Sequence, residues 1–235
     1  MPNPEQERQQ AAAAAVDLVQ SGMVVGLGTG GTSAYAIKIL GQRVAEAGLK
    51  ITGVPTSTRS AELARSLGIP LVDLTMAGQI DLTIDGADEF DPQLHLTKGG
   101  GGALLREKIV AFNSRKVAII TDSAKRVTTL GRFPLPCEVL PFAAPAVASW
   151  IQRTFSVQAI PRAGADGKLF LTDQGNQILD CHFGTIADPV ALADRLDKVP
   201  GLIEHGLFVS VADVVFMGSG DGVETFSRSS PRLSR

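Results

Sequence analysis

Apolar positions along this chain alternate between two spacings. Met23-Val24-Val25, Ile51 to Pro55, Leu71 to Leu74, Ile80 to Ile84 and Val117 to Thr121 are short apolar or alternating runs, and each predicts a strand. Between them lie stretches with helical spacing. These are Glu5 to Gln20, helped by the alanine run Ala11 to Ala15, then Ser33 to Ala47, Ser60 to Leu67, and a helix opening at Ala103-Leu104-Leu105. Strands alternating with helices predict an α/β fold whose mostly parallel sheet has helices on both faces.

The pattern changes near Gly131, where Pro134, Pro136, Pro141 and Pro145 crowd one segment. Beyond it, Ala146 to Gln152 reads as a helix, and Val157 to Ile160, Leu169 to Thr172 and Ile178 to Phe183 as strands. Pro189 to Lys198 reads as a helix with proline at its start. A smaller α+β domain inserted over 131–205 is expected, with the main domain over 1–130 and 206–227. Val214 to Met217 then returns as a strand of the main sheet. The polar, basic tail 228–235 is expected to be mobile.

Composition narrows the setting. The 235 residues suffice for a substantial core, as one large domain or two unequal ones. Hydrophobic residues make up 44% and charged residues 20%, and the net charge of −2 leaves no basic field for nucleic acid or an anionic membrane. Two cysteines, Cys137 and Cys181, imply no disulfide framework, so a reducing, cytoplasmic setting is expected. No apolar run approaches the roughly 18 residues of a membrane span. The polar start lacks the order of a secretion signal. His95, His182 and His205 have no metal-ligand spacing with one another or with the cysteines, so no metal is expected.

Candidate chemistry concentrates between Asp81 and Ala111. The strand ending at Ile84 runs into Asp85-Gly86-Ala87-Asp88-Glu89, then come Lys98 and Gly99 to Gly102, then a helix containing Glu107. Taken singly, acids beside glycine are often solvated turn residues, and a glycine run is often a connector. Glu107 differs. Its helical neighbours three and four residues away are Ala103, Leu104, Val110 and Ala111, all apolar. A carboxylate on that face is partly desolvated, which suits a general base.

A second glycine loop lies earlier. Gly26, Gly28 and Gly31 fit G-x-G-x-x-G between a strand and a helix, as in a dinucleotide fingerprint. The acid expected about 20 residues later is absent, because that stretch reads Val54-Pro55-Thr56-Ser57-Thr58-Arg59. What remains is either a tight strand-to-helix turn or an anion site, in which N–H groups at a helix start, with Thr29 and Thr32 beside them, can hold a phosphate. Lys125 follows another strand end and can reach the same kind of ligand.

These blocks resemble the type A ribose-5-phosphate isomerase family. The resemblance rests on Gly28 to Thr32, Asp85 to Glu89, Lys98 to Gly101 with Leu105 to Lys108, and Gly131 to Pro136. Asp173 to Asn176 and Gly206 to Phe208 also look familial. It implies an aldose–ketose isomerase that interconverts D-ribose 5-phosphate and D-ribulose 5-phosphate, in the pentose phosphate pathway and the Calvin cycle. It implies a Rossmann-like domain with a smaller α+β domain, no cofactor or metal, and usually a homodimer. Residue by residue, it implies Glu107 as the proton acceptor, with Asp85, Asp88 and Lys98 also catalytic. Thr29, Gly30, Gly31, Thr32, Gly86, Ala87, Gly99, Gly100, Gly101 and Lys125 are implied substrate contacts. The family's first loop usually reads Gly-Thr-Gly-Ser-Thr, and here Gly31 stands at the serine position. Family members often carry a first-helix lysine near the phosphate; Arg8 is not assigned that role.

The chemistry matches these residue types. One carboxylate can move a proton between C2 and C1, and the developing enediolate oxygen needs a donor such as Lys98. Asp85 and Asp88 suit sugar hydroxyls, one of them assisting ring opening. The expected partner is a small sugar phosphate, not nucleic acid or membrane. Two rivals stand beside this reading. A sugar-phosphate sensor would need the phosphate loop but not Glu107 with Lys98. A nicotinamide oxidoreductase would need the missing acid.

Overall fold

The computed structural model describes residues 3–220 and 222–228. In chain order its elements begin with α1 (Pro4–Val16), β1 (Val24–Leu27), α2 (Gly31–Ala47), β2 (Thr52–Pro55), α3 (Thr58–Ser66), α4 (Leu74–Ala77) and β3 (Ile80–Gly86). Next come β4 (Glu89–Phe90), β5 (Leu96–Thr97), α5 (Leu104–Phe112), β6 (Ser114–Asp122), a 3-10 turn (Ser123–Lys125) and β7 (Leu135–Val139). The remainder is α6 (Ala144–Phe155), β8 (Ala159–Pro161), β9 (Gln177–Cys181), α7 (Pro189–Leu196), β10 (Leu202–His205), β11 (Leu207–Phe208), β12 (Val214–Ser219) and β13 (Gly222–Ser227).

The chain forms two compact units. The first holds the described residues through Ala87, Arg106–Arg126, and those from Ser210 onward; the second holds Asp88–Leu105 and Val127–Val209. The sequence pattern puts the change of unit near residue 130. In the structure, the chain already crosses after Ala87. The excursion is hard to see in sequence because β4 and β5 are two residues each, too short to show a period.

In the first unit the sheet order is β13-β12-β6-β3-β1-β2, parallel throughout except for the antiparallel edge strand β13. The chain runs outward from β1 to β2, then returns to place β3 on the other side of β1. That reversal is a topological switch point, where open α/β sheets bind ligands. Helices α1 and α2 bury Ala11, Ala12, Ala15, Val16, Ile37 and Leu40 against Val25, Leu27, Leu82 and Ile84 on one face. Gly26 points to the opposite face, where a side chain would strike Thr83 and Val110 of α5. The start of α1 is fixed locally. Asn3 accepts the N–H groups of Glu5 and Gln6, Pro4 opens the helix, and Glu5 and Glu7 complement its dipole.

In the second unit an antiparallel sheet, β10-β7-β9-β8, carries α6 and α7 on one face, around Leu135, Cys137, Val139, Val147, Ile151, Leu179, Leu192 and Leu196. A three-stranded sheet, β11-β5-β4, completes it. The proline-crowded segment thus contains β7, a strand with partners on both sides. Pro136 has no N–H to offer there, and its carbonyl accepts the Gly206 N–H at 2.7 Å.

Other expectations change for local reasons. Leu71 to Leu74 is a single bridge, Leu71 to Gly53, because Asp73 caps α4 by accepting the Thr75 and Met76 N–H groups. Leu169 to Thr172 pairs only through isolated bridges. Ser227 belongs to β13, and the Arg228 N–H donates to the Asp213 carbonyl. Residues 229–235 of the expected mobile tail lie outside the described residues.

Candidate active site

The first unit places the loop Thr29–Thr32, Asp85 and Lys125 after or at the carboxyl ends of the neighbouring strands β1, β3 and β6, and Glu107 on α5. Asp85, next to last in β3, is buried. Its Oδ1 accepts the Thr29 N–H at 3.1 Å and the Gly86 N–H at 2.7 Å, and the Ser33 hydroxyl lies 3.1 Å away. These contacts join the first glycine loop to the end of β3 across the switch point. Gly28 is small for the same reason, since a side chain there would collide with Asp85. Gly86 and Ala87, half-buried, end the segment.

The loop's residues divide by role. The Thr29 hydroxyl, read from sequence as a phosphate contact, turns inward. It shares a hydrogen bond with Thr56 Oγ1 at 2.7 Å and donates to Ser57 Oγ at 2.8 Å, with Ser60 Oγ 3.2 Å away. This hydroxyl cluster stands after β2, where a dinucleotide fold would place its acid. Gly30 caps α2 with φ of 103°, a conformation that side chains resist. Gly31 and Thr32 then form the first turn of α2, where N–H groups lack helical partners.

Glu107 lies on the buried face of α5 with Leu104, Val110 and Ala111, and is 3% exposed. Lys125 ends the 3-10 turn after β6. That turn is held by α1. Glu7 accepts the Ser123 N–H at 2.9 Å, the Ser123 hydroxyl at 2.8 Å and the Gly220 N–H at 3.3 Å. Arg8 pairs with buried Asp122 at 2.7 Å, and Asp122 caps the turn through the Ala124 N–H. Burial pushes the Glu7 carboxyl up, but the Ser123 and Gly220 donors and nearby Arg8 outweigh it, leaving it below the ordinary glutamate value. Sequence reasoning missed Glu7, because nothing in a helix's own pattern shows which loop it will touch.

The second unit carries Asp88, Lys98 and Gly99 to Gly101. Asp88 Oδ2 accepts the Gly100 N–H at 2.7 Å, and a side chain at Gly100 would meet Asp88 Oδ1 at 2.6 Å and Phe133 at 3.0 Å. Lys98 is 3% exposed, its N–H donates to the Gly206 carbonyl at 2.8 Å, and its Nζ lies 5.3 Å from the Phe208 ring centre, within cation–π range. Two motif blocks turn out to be structural here. Glu89, fully buried, accepts the Gly131 and Phe133 N–H groups at 2.8 and 2.9 Å. Glu138, also buried, accepts from Thr172 and Asn176, closing the turn around Gly175. Arg162, absent from the sequence candidates, donates to the carbonyls of Gly99 and Gly100.

Among the described residues, Asp197, Glu204 and His205 are close enough to hold a cation. The histidine's nitrogens are committed, however. Nδ1 accepts the Leu207 N–H at 3.2 Å, so Nε2 carries the proton and points it at Asp197, 3.0 Å away. A metal on Nε2 would need that proton moved to Nδ1, against Leu207, so the donor set fits a hydrogen-bonded pair rather than a metal.

Comparison with known proteins identifies the family. The family described as ribose 5-phosphate isomerase A (phosphoriboisomerase A) matches residues 52–222. The ribose-5-phosphate isomerase A of Roseobacter denitrificans is 52% identical over 213 residues, covering 88% of this chain and 81% of its own. That of Chloroflexus aurantiacus is 51% identical over 227 residues, 96% and 95% of the two chains. Among solved structures, a D-ribose-5-phosphate isomerase in complex with phospho-erythronic acid superposes with a TM-score of 0.93 at 38% identity, covering 96% of this chain and all of its own. Ribose 5-phosphate isomerase A from Methanocaldococcus jannaschii gives 0.91 at 38% identity, over 95% and 99% of the two chains.

Proposed function

The chain belongs to the ribose 5-phosphate isomerase A family, and on that premise we propose how its own residues carry the reaction. It interconverts D-ribose 5-phosphate and D-ribulose 5-phosphate through an enediolate, a step shared by the pentose phosphate pathway and the Calvin cycle. Glu107 removes the C2 proton of the open-chain aldose and returns it to C1. The observation that carries this is its burial among apolar positions of α5, where a carboxylate is poorly hydrated and a better base than in water. Lys98 stabilises the charge that develops on the enediolate oxygen. Asp85 and Asp88 bind sugar hydroxyls, and one of them assists ring opening. Gly30, Gly31 and Thr32 offer the phosphate the N–H groups of the first turn of α2, with Lys125 as counter-charge. Thr29 shapes that loop from within through the hydroxyl cluster. Gly86, Ala87 and the backbone of Gly99 to Gly101 complete the substrate contacts. No role for a metal or organic cofactor arises in these steps.

We also take the protein to act as a cytoplasmic homodimer. The cytoplasm suits two buried free thiols. The dimer follows from the family resemblance and from exposed apolar side chains on the second unit, Ile160, Leu169 and Leu171 among them. Among the described residues, no helix is long and apolar enough to cross a membrane.

The test is incubation with ribose 5-phosphate in heavy water, without nicotinamide. Ketose should form and carry some deuterium at C1, because a carboxylate can exchange its captured proton with solvent before returning it. No ketose would favour a sensor or an oxidoreductase. Ketose without label at any substrate concentration would contradict the proton shuttle.

A further inference from the structure

Four consecutive glycines, Gly99 to Gly102, have little order of their own. Asp88 touches this run and Lys98 precedes it, so its geometry bears on both. That geometry is imposed by a residue more than 60 positions away in sequence. Arg162, just after β8, donates from Nη1 to the Gly99 carbonyl at 2.8 Å and to the Gly100 carbonyl at 3.2 Å. The same guanidinium is clasped by Asp180 of β9, with Nε to Oδ2 at 2.9 Å and Nη2 to Oδ1 at 2.5 Å. Phe170 lies against both groups. Its ring centre is 5.9 Å from the guanidinium carbon, and a side chain at Gly102 would collide with the ring.

The peptide between Gly99 and Gly100 links this clamp to Asp88. It is trans, so its carbonyl and N–H point in opposite directions. The carbonyl faces Arg162, and the N–H donates to Asp88 Oδ2 at 2.7 Å. Asp180, Arg162, the peptide and Asp88 therefore form one unbroken chain of hydrogen bonds, charge-assisted at both ends. A guanidinium on the carbonyl also polarises the peptide and strengthens its N–H as a donor.

We propose that Arg162, oriented by Asp180, is a positioning residue for the isomerase reaction: it fixes the Gly99–Gly100 peptide so that its N–H holds the Asp88 carboxylate in the orientation the reaction uses. The proposal rests on the assignment of Asp88 to substrate chemistry made above. Lysine cannot replace Arg162, because a single ammonium cannot span both carbonyls while holding both oxygens of Asp180.

A double-variant comparison in the full-length enzyme tests this. Steady-state kinetics would be measured for Arg162→Ala, Arg162→Lys, Asp88→Ala and the Arg162→Ala/Asp88→Ala pair. Arg162→Ala is expected to lower kcat about tenfold, the scale of one lost charge-assisted hydrogen bond. Guanidinium ion at a non-denaturing concentration should restore part of that loss, and Arg162→Lys should stay impaired. On the Asp88→Ala background, Arg162→Ala should cost less than about twofold, because coupled residues are not additive. Wild-type kcat in Arg162→Lys, or full additivity with an impaired Asp88→Ala, would overturn the proposal at Arg162 itself. Unchanged kcat in Asp88→Ala would overturn it at its premise. Should Arg162→Ala fail to fold, Asp180→Asn reads the same coupling: lower kcat with Asp88 present and little further loss without it.

Discussion

Gly31 stands where the family resemblance expects a serine, and the backbone says what a serine would meet. The residue with positive φ is Gly30, at 103°. Gly31 lies in the first turn of α2, and a side chain there meets nothing within 4 Å. Serine therefore fits without strain and adds a hydroxyl beside the proposed phosphate loop. Hydrogen bonds to charged groups contribute about 1.5–3 kcal/mol, and in the proposed site the Thr32 hydroxyl already offers one. Gly31→Ser should lower KM a few-fold and leave kcat roughly unchanged, the pattern of added uniform binding. A raised KM or a collapsed kcat in steady-state assays would show that the loop's geometry differs from this account. At the same scale, the burial of Glu107 was legible in the sequence, because four helical neighbours place it on one face. The inward turn of the Thr29 hydroxyl was not, since Thr56, Ser57 and Ser60 reach it only through the pairing of β1 with β2. Arg162 was equally hidden, more than 60 residues from the glycines it holds and in a segment with no period of its own.

Elements with several apolar positions in register were readable, and two-residue strands and a strand with proline in its interior were not. The helices α2 and α7 and the strands β3, β6 and β12 each carry several apolar positions, so the pattern finds them. Strand β7 hides behind Pro136, and β4, β5 and β11 have two residues each. The contact of α1 with the turn bearing Lys125 is likewise tertiary, and it has a pH consequence. The carboxyl of Glu7 is held below the ordinary value of 4.5. A depressed folded-state value stabilises fully above the unfolded value, and that contribution fades as pH falls through the lower folded value. Glu7→Gln should therefore melt lower than wild type at neutral pH, by about 2–4 °C for each kcal/mol lost. The gap should narrow below pH 4.5. Melting curves across this range check it, and a gap that stayed constant on acidification would contradict the charge-based account.

For the whole molecule, the proposed homodimer is checked by light scattering, which should give twice the 24.6 kDa of one chain; a single-chain mass at assay concentration would contradict it. The two units contribute different chemistry. In the proposed mechanism the first unit holds Glu107, Asp85 and the loop Gly30–Thr32, and the second holds Asp88, Lys98 and the glycines that Arg162 contacts. The account stands or falls on the base. Glu107→Gln keeps the shape of the side chain and removes its ability to take a proton. Turnover of ribose 5-phosphate by this variant is the most direct test, measured beside its affinity for phospho-erythronic acid, the compound bound to a solved relative. The prediction is a kcat lower by roughly 10²–10⁴-fold with affinity for that acid within a few-fold of wild type. Near-wild-type turnover in a folded Glu107→Gln enzyme would contradict the account.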